Sequence, residues 1–281
     1  MHVFAPPRLG AGRPLIVVLH GCGQSAATFA ADAGWLALAR ELRFALLLPE
    51  QTHENNRGRC FNWFHPSDVR RGSGEAMSIR QMIRNAVKRF GSDPRHIFVV
   101  GLSAGGAMAA AMLAAYPAVF SAGAVVAGLP VGCASTPVGA MLHMRRANSG
   151  RTRLALANDV RMVTGSPSRK SWPRLSIWQG ERDRTVAPEN AEVLANQWSE
   201  LHGSGTEPII DRTIEGARQR AWGRPNRVPS VELWTIARMG HGFPVDPHTA
   251  ASGSVGAWVV DGGLCAARLI AAFWGLARPR S

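Results

Sequence analysis

A serine flanked by glycines is the segment of this sequence best suited to chemistry. Ser103 lies between Gly101 and Gly105 in the pattern G-x-S-x-G. Residues 97–100 are contiguous, apolar and β-branched or aromatic, which predicts a buried strand, and residues 104–115 are alanine-rich, which predicts a helix. A serine at such a strand-to-helix turn is raised above the sheet as a nucleophile, at a backbone strain of about 1–3 kcal/mol. Its alternative role is a simple helix N-cap.

A serine hydroxyl is a weak nucleophile at neutral pH, so this interpretation requires a histidine base and a carboxylate that orients it. Asp183 follows a predicted strand and a turn at Gly180, and it precedes a predicted helix. We therefore predict that Asp183 is the acid. Glu181 is the neighbouring alternative, and a turn aspartate is the structural alternative.

His241 lies between two glycines just beyond the last predicted strand. A loop histidine in that setting can reach a cleft, so we predict that His241 is the base. His248 is a weaker alternative. His202 stands at a predicted helix end before a glycine, which is typical of a C-terminal cap.

Acyl transfer also requires N–H donors for the oxyanion, each contributing about 2.7–4 kcal/mol. The N–H of Ala104, directly after the nucleophile, is one predicted donor. The other is the N–H of Cys22, in the glycine-rich loop 20–24 that follows a predicted strand. The structural alternative for this loop is a tight turn in which Cys22 has only a structural role, and this alternative is compatible with the oxyanion role.

Buried strand patterns alternate with helical patterns along the chain, which predicts an α/β fold with a mostly parallel, doubly wound sheet and helices on both faces. We assign residues 1–281 to a single domain. The segments 51–74 and 132–173 are predicted to be long irregular loops. The predicted strands are Leu15–Leu19, Ala45–Pro49, Ile97–Val100, Ala122–Ala127, Leu175–Trp178 and Val231–Ile236; the other predicted helices are Ala26–Arg43, Glu75–Phe90, Pro188–Leu201 and Gly263–Leu276.

The net charge of +13 is the main argument for a nucleic-acid-binding protein. However, the densest basic region, 145–170, contains no aromatic residue and matches no nucleic-acid motif. We therefore predict no nucleic-acid partner and interpret this region mainly as a solvated surface. No apolar run reaches the roughly 20 residues of a membrane helix, so no transmembrane segment is predicted. The oligomeric state is left open.

Cysteine spacing and the first residues bear on the compartment. The four cysteines include no C-x-x-C pair, so we predict no metal site. The cysteines either form disulfides, for which three pairings are possible, or remain buried thiols. The first 15 residues lack the pattern of a signal peptide, which leaves a cytoplasmic location open. Residues 1–6 resemble the end of a strand, so we expect the chain to begin late within its domain.

Six segments together resemble the polyhydroxybutyrate depolymerase-type esterases of the α/β-hydrolase superfamily. They are VVLHGCGQ at 17–24, RCFNWF at 59–64, GLSAGGAMA at 101–109, AGLPVGCA at 127–134, GERDRTV at 180–186 and GHGFP at 240–244. The resemblance implies an α/β-hydrolase fold and a serine esterase that needs no cofactor. It also implies an extracellular or periplasmic location, and ester substrates such as short 3-hydroxyacyl oligomers.

The resemblance implies the catalytic residues already predicted from the motifs, which are Ser103, Asp183 and His241. It also implies an oxyanion hole formed by the amides of Cys22 and Ala104. GHGFP differs from the HAWP form of many relatives, which leaves the substrate range open. A feruloyl or acetyl xylan esterase is one alternative. A catalytically inactive binding module is an alternative of another class.

The segment RCFNWF is expected to line the cleft with Trp63 and Phe64, and we assign His20 to substrate binding with them. A packed surface loop is the structural alternative for this segment. If oxidised, Cys60 would tether the segment to Cys22 beside the oxyanion hole.

Overall fold

The computed structural model of the chain describes residues 1–165 and 171–277. Within these residues the strands are β1 (His2–Phe4), β2 (Leu15–Leu19), β3 (Ala45–Leu48), β4 (Ile97–Leu102), β5 (Ala122–Val126), β6 (Arg174–Gly180), β7 (Ile210–Ile214), β8 (Ala217–Trp222), β9 (Val231–Ile236), β10 (Phe243–Val245) and β11 (Val259–Asp261). The helices are α1 (Ala26–Asp32), α2 (Trp35–Leu42), α3 (Pro66–Val69), α4 (Gly74–Phe90), α5 (Ala104–Ala115), α6 (Pro137–Arg145), α7 (Arg153–Thr164), α8 (Glu189–His202) and α9 (Ala266–Phe273).

In the described part of the chain, a nine-stranded sheet has the order β1-β3-β2-β4-β5-β6-β9-β8-β7. The six central strands run parallel to their neighbours, whereas β1 pairs antiparallel with β3, and β8 pairs antiparallel with both β7 and β9. The predicted α/β class with a mostly parallel sheet is confirmed. Because β4, β6 and β9 are parallel, the loops that follow them lie at the same edge of the sheet.

Both faces of the sheet are covered by helices, as the continuous apolar strands predict. In β2, Leu15, Val17 and Leu19 join one hydrophobic cluster, which includes side chains of α4, α5, α7 and α8. Ile16 and Val18 point the other way and join a second cluster with α1, α2 and α9. The sheet therefore lies between two hydrophobic cores.

The predicted helix 26–43 is divided in two. Gly34 has φ +80°, a left-handed conformation that ends α1 before α2 begins. A Cβ at this position would lie 2.6 Å from the carbonyl oxygen of Ser252, so the close approach of another segment also requires glycine. The helical periodicity continues across the break, which is why the sequence pattern did not reveal it.

The prediction of irregular structure over 132–173 is wrong in large part, because α6 and α7 lie within it; residues 166–170 lie outside the described residues. Thr136 and Thr152 cap these helices by accepting the N–H groups of Gly139 and Ala155. Segment 51–74 is irregular as predicted, apart from the one-turn α3.

The antiparallel hairpin β7–β8 was not predicted. Glu215 and Gly216 form its two-residue turn, with φ +50° and +78°, and this E-G pair between two short strands was the available signal. Residues 2–4 do form a strand, as their sequence indicates. None of the helices in the described residues is long and apolar enough to cross a membrane. The assignment of 1–281 to one domain stays a prediction.

Candidate active site

Ser103 occupies the turn between β4 and α5. Its backbone has φ +56° and ψ −119°, a conformation that costs a non-glycine residue about 1–3 kcal/mol. Its N–H donates to the carbonyl of Val126 at 2.9 Å, which ties the turn to the end of β5. The strained conformation that the sequence predicts is therefore present.

The glycines around the serine allow this turn to pack against the neighbouring backbone. A Cβ on Gly101 would lie 2.1 Å from the carbonyl oxygen of Gly105. A Cβ on Gly105 would lie 2.3 Å from the carbonyl oxygen of Leu19 and 2.4 Å from that of His20. Contacts this short exclude any side chain, so G-x-S-x-G here reflects close packing between α5 and the end of β2.

Asp183 lies on the loop after β6 and is buried. Its Oδ2 accepts a hydrogen bond from Nδ1 of His241 at 2.7 Å, and its Oδ1 accepts the N–H groups of Thr185 and Val186 at 2.8 Å each. The Nε2 of Gln179 also donates to Oδ2, at 3.0 Å. Burial acts to raise the pKa of Asp183, but the hydrogen bonds outweigh it and hold the pKa below its ordinary value.

His241 lies on the loop after β9, which packs directly on the acid loop. The N–H of Arg182 donates to the carbonyl of Met239 at 2.9 Å. A Cβ on Gly180 would lie 2.4 Å from the carbonyl oxygens of both Met239 and Gly240, so the turn before Asp183 must be glycine. The two loops meet because β6 and β9 are neighbours whose last residues are in register.

The ionised Asp183 fixes the proton of His241 on Nδ1, which leaves Nε2 as the free base. Among the described residues, neither Nε2 of His241 nor the hydroxyl of Ser103 has a hydrogen-bond partner. The two alternatives considered from sequence, Glu181 and His248, are exposed. His202 is the last residue of α8, and its Nε2 bonds to the carbonyl of Pro173 at 3.1 Å.

The loop 20–24 is fixed by a disulfide and by hydrogen bonds. Cys22 is bonded to Cys60, which confirms the tether considered from the sequence. The N–H of Gly21 donates to Oε1 of Gln24 at 2.7 Å, and Nε2 of Gln24 donates to the carbonyl of Ala257 at 2.5 Å. The N–H of Cys22 has no acceptor in the described part of the chain.

The N–H of Ala104 is also without an acceptor among residues 1–165 and 171–277, because it belongs to the first turn of α5. It follows Ser103 directly and points out of the helix N-terminus, where the helix dipole favours negative charge. Two unpartnered amides on neighbouring loops are what stabilisation of an oxyanion requires.

His20 is fully buried beneath the loop. Its Nδ1 bonds to the carbonyl of Gly21 at 2.7 Å, and its Nε2 accepts the N–H of Gln51 at 3.1 Å. Burial lowers the pKa of the ring below its ordinary value, so the imidazole is neutral. Both ring nitrogens are thus engaged with backbone groups.

Trp63 and Phe64 are half-buried, with their rings 5.5 Å apart in an edge-to-face arrangement. Trp63 packs on a small apolar cluster that contains Ala107 of α5 and Val186 of the acid loop. The segment that carries Trp63 therefore packs between α5, which follows Ser103, and the loop that carries Asp183.

Sequence reasoning missed Glu75, a buried carboxyl under the same segment. Its Oε1 accepts the side-chain amides of Asn55 and Asn62 at 2.9 and 2.7 Å and that of Gln51, and its Oε2 accepts the N–H of Asn62 at 2.9 Å. Burial and the nearby carboxylate of Asp68 raise the pKa of Glu75 to about 7, although the hydrogen bonds oppose the shift. No signal in the sequence pointed to this role, because a glutamate in the first turn of a helix is usually a solvent-exposed residue.

Comparisons with known proteins place the chain in a family of esterases. Residues 2–225 match the family model described as esterase PHB depolymerase, a range that includes Ser103 and Asp183 and ends before His241. Poly(3-hydroxyalkanoate) depolymerase C of Paucimonas lemoignei is 39% identical over 279 residues, which cover 98% of this chain and 66% of that protein. The chain thus spans just under two thirds of that relative's length.

Feruloyl esterase B of Thermothelomyces thermophilus is 30% identical over 230 residues, covering 79% of this chain and 77% of that protein. A solved structure, acetyl xylan esterase from Aspergillus awamori, superposes with a TM-score of 0.76 at 21% identity, covering 85% of this chain and 87% of that one. At this identity the superposition shows the fold alone, which is the α/β-hydrolase fold that the sequence predicts.

Proposed function

The chain belongs to the esterase PHB depolymerase family, and from this premise we propose that it hydrolyses carboxylic esters through an acyl-enzyme formed on Ser103. The observation that carries the proposal is the 2.7 Å hydrogen bond from His241 to the buried Asp183, at the sheet edge where Ser103 stands on its strained turn. Nucleophile, acid and base come from three separate loops, in the chain order found in α/β-hydrolases.

In the proposed reaction, His241 Nε2 takes the hydroxyl proton as Ser103 Oγ attacks the ester carbonyl. The ionised Asp183 stabilises the imidazolium that forms. The N–H groups of Cys22 and Ala104 donate to the oxyanion. His241 then gives its proton to the leaving alcohol, and a water molecule activated by the same ring releases the acid from Ser103.

We propose 3-hydroxyacyl oligomers or related small esters as the substrate class, with no cofactor. The resemblance to a poly(3-hydroxyalkanoate) depolymerase over nearly the whole chain supports this choice. Trp63 and Phe64 supply apolar surface for the substrate. In place of the substrate-binding role expected from the sequence, we propose that His20 supports the oxyanion loop, because it is fully buried and both of its ring nitrogens are engaged with backbone groups.

We also propose an oxidising compartment, extracellular or periplasmic. The disulfide between Cys22 and Cys60 supports this location, because such bridges persist where thiols are not kept reduced.

Hydrolysis of p-nitrophenyl butyrate and of 3-hydroxybutyrate oligomers by the wild type and by Ser103→Ala tests the proposal. We expect the variant to lose at least about 10³-fold in kcat. Ser149→Ala, at an exposed serine, is the matched control and should keep the wild-type rate. A fluorophosphonate should label the wild type and not Ser103→Ala. Equal rates in wild type and Ser103→Ala would refute the assignment of Ser103 as the nucleophile. Preferred hydrolysis of feruloyl or acetyl-xylan esters would show that the substrate class is that of the alternative esterases.

A further inference from the structure

We propose that Trp258 forms an apolar subsite for the alcohol portion of the ester, beside His241. The inference rests on the proposed function and adds a specificity-determining residue to it. Neither the motifs in the sequence nor the predicted site included this residue.

The position of Trp258 is unusual for a large apolar side chain. Its ring centroid lies 5.7 Å from that of His241, with the two rings nearly perpendicular at 73°. Yet 50% of the residue is exposed to solvent. An indole that packed only to support the histidine would be buried; this one keeps half of its surface free at the mouth of the site.

The backbone around Trp258 is held in place by both catalytic loops. The N–H of Phe243, on the histidine side, donates to the carbonyl of Trp258 at 2.8 Å. Gln24, on the oxyanion loop, donates to the carbonyl of the adjacent Ala257 at 2.5 Å. The segment therefore bridges the base and the oxyanion hole, and its backbone is held in place relative to both.

The conformation of Trp258 is strained. Its φ is +59°, in the left-handed region that bulky residues avoid. Strain of this kind persists only where the surroundings impose it, and it concentrates at binding and catalytic sites. Glycine would adopt this φ without cost, yet the residue here is a tryptophan whose ring lies beside His241.

The chemistry of the proposed reaction decides which part of the substrate meets this surface. His241 must deliver a proton to the oxygen that leaves with the alcohol. The group attached to that oxygen therefore lies next to the imidazole, where the indole of Trp258 also lies. In a hydroxyacyl oligomer this group is the next monomer unit, whose methyl and methylene groups suit an aromatic face.

The test compares esters of one acid with different alcohols. Methyl butyrate and benzyl butyrate form the same acyl-enzyme, so a difference in kcat/KM between them reports on the alcohol side. We expect Trp258→Gly, which removes the ring and the strain together, to lower kcat/KM by at least about 10-fold for benzyl butyrate and by less than about 2-fold for methyl butyrate. Trp258→Phe should recover most of the loss.

Methyl butyrate and methyl hexanoate vary the acid at a fixed alcohol and serve as the control series, in which the ratio of kcat/KM values should not change. An equal loss for all esters would show that the indole only supports His241, and a loss that follows the acid chain would place it on the acyl side. Either result overturns the proposal while leaving the esterase assignment intact. No hydrolysis of any ester by the wild type would instead refute the proposed function and the subsite with it.

Discussion

Removing the Cys22–Cys60 bridge should weaken both the fold and the oxyanion hole. The bond links residues 38 positions apart. For a closed loop of that size, the chain-entropy relation gives a stabilisation of about 4 kcal/mol at 25 °C, because the bridge restricts the unfolded chain. We therefore expect Cys22→Ala/Cys60→Ala to lower the free energy of unfolding by up to about 4 kcal/mol in urea titrations.

The same change should affect catalysis more modestly. The N–H of Cys22 is the proposed oxyanion donor, and complete loss of one such donor lowers kcat by about 10²–10³-fold. The loop keeps other anchors, since the N–H of Gly23 still donates to the carbonyl of Gly58 at 3.0 Å and Gly21 still bonds to Gln24. We expect kcat for p-nitrophenyl butyrate to fall by about 10-fold, with a smaller change in KM.

The free cysteines provide the control. Cys133→Ala/Cys265→Ala retains the bridge and should respond to dithiothreitol as the wild type does, losing stability and activity together. The variant without the bridge should be insensitive to the reductant. If the bridgeless variant unfolds at the same urea concentration as the wild type and keeps its kcat, the bridge neither stabilises the loop nor positions the amide, and the reasoning is wrong.

Three further changes test the rest of the site. Asp183→Asn should lower kcat by about 10⁴-fold, because His241 loses its preferred tautomer; an unchanged kcat for p-nitrophenyl butyrate would contradict the assignment. Gly105→Ala places a Cβ 2.3 Å from the carbonyl oxygen of Leu19, and should cost about 3 kcal/mol in urea unfolding together with most of the activity. The raised pKa of Glu75, about 7 against 4.5 in the unfolded chain, means that its stabilising contribution is full below pH 4.5 and is lost as the pH rises to about 7. Over that range the free energy of unfolding of the wild type should fall by up to about 3 kcal/mol relative to that of Glu75→Gln. Parallel pH profiles of stability for the two proteins would refute this.

The central fold could be predicted because its strands are uniformly apolar and its helices are periodic. The start and end of α5, and the bounds of β2 and β9, agree with the prediction. The break at Gly34 could not be predicted, since it depends on the approach of Ser252, more than 200 residues away in sequence. Helices α6 and α7 were not predicted, because the glycine, proline and arginine residues in this part of the sequence suggested an irregular segment.

Candidate residues were found where a motif links them to chemistry. Ser103, Asp183 and His241 stand after strands with glycines beside them, and that pattern is local. Glu75 and Trp258 have no such pattern. Glu75 gains its role from amides that the segment 51–62 brings to it, and Trp258 from the pairing of β10 with β11, so both depend on tertiary contacts that the sequence does not display.

The glycine packing around Ser103 has a consequence for how this scaffold can diversify. A Cβ on Gly101 or Gly105 would collide with main-chain atoms, so neither glycine can be replaced without displacing the backbone of the turn. Trp63 and Trp258 lie on connecting segments at the rim, where side chains change without disturbing the strands beneath. New substrate preferences can therefore arise, in nature or by directed evolution, through exchange of rim residues around an unaltered serine turn.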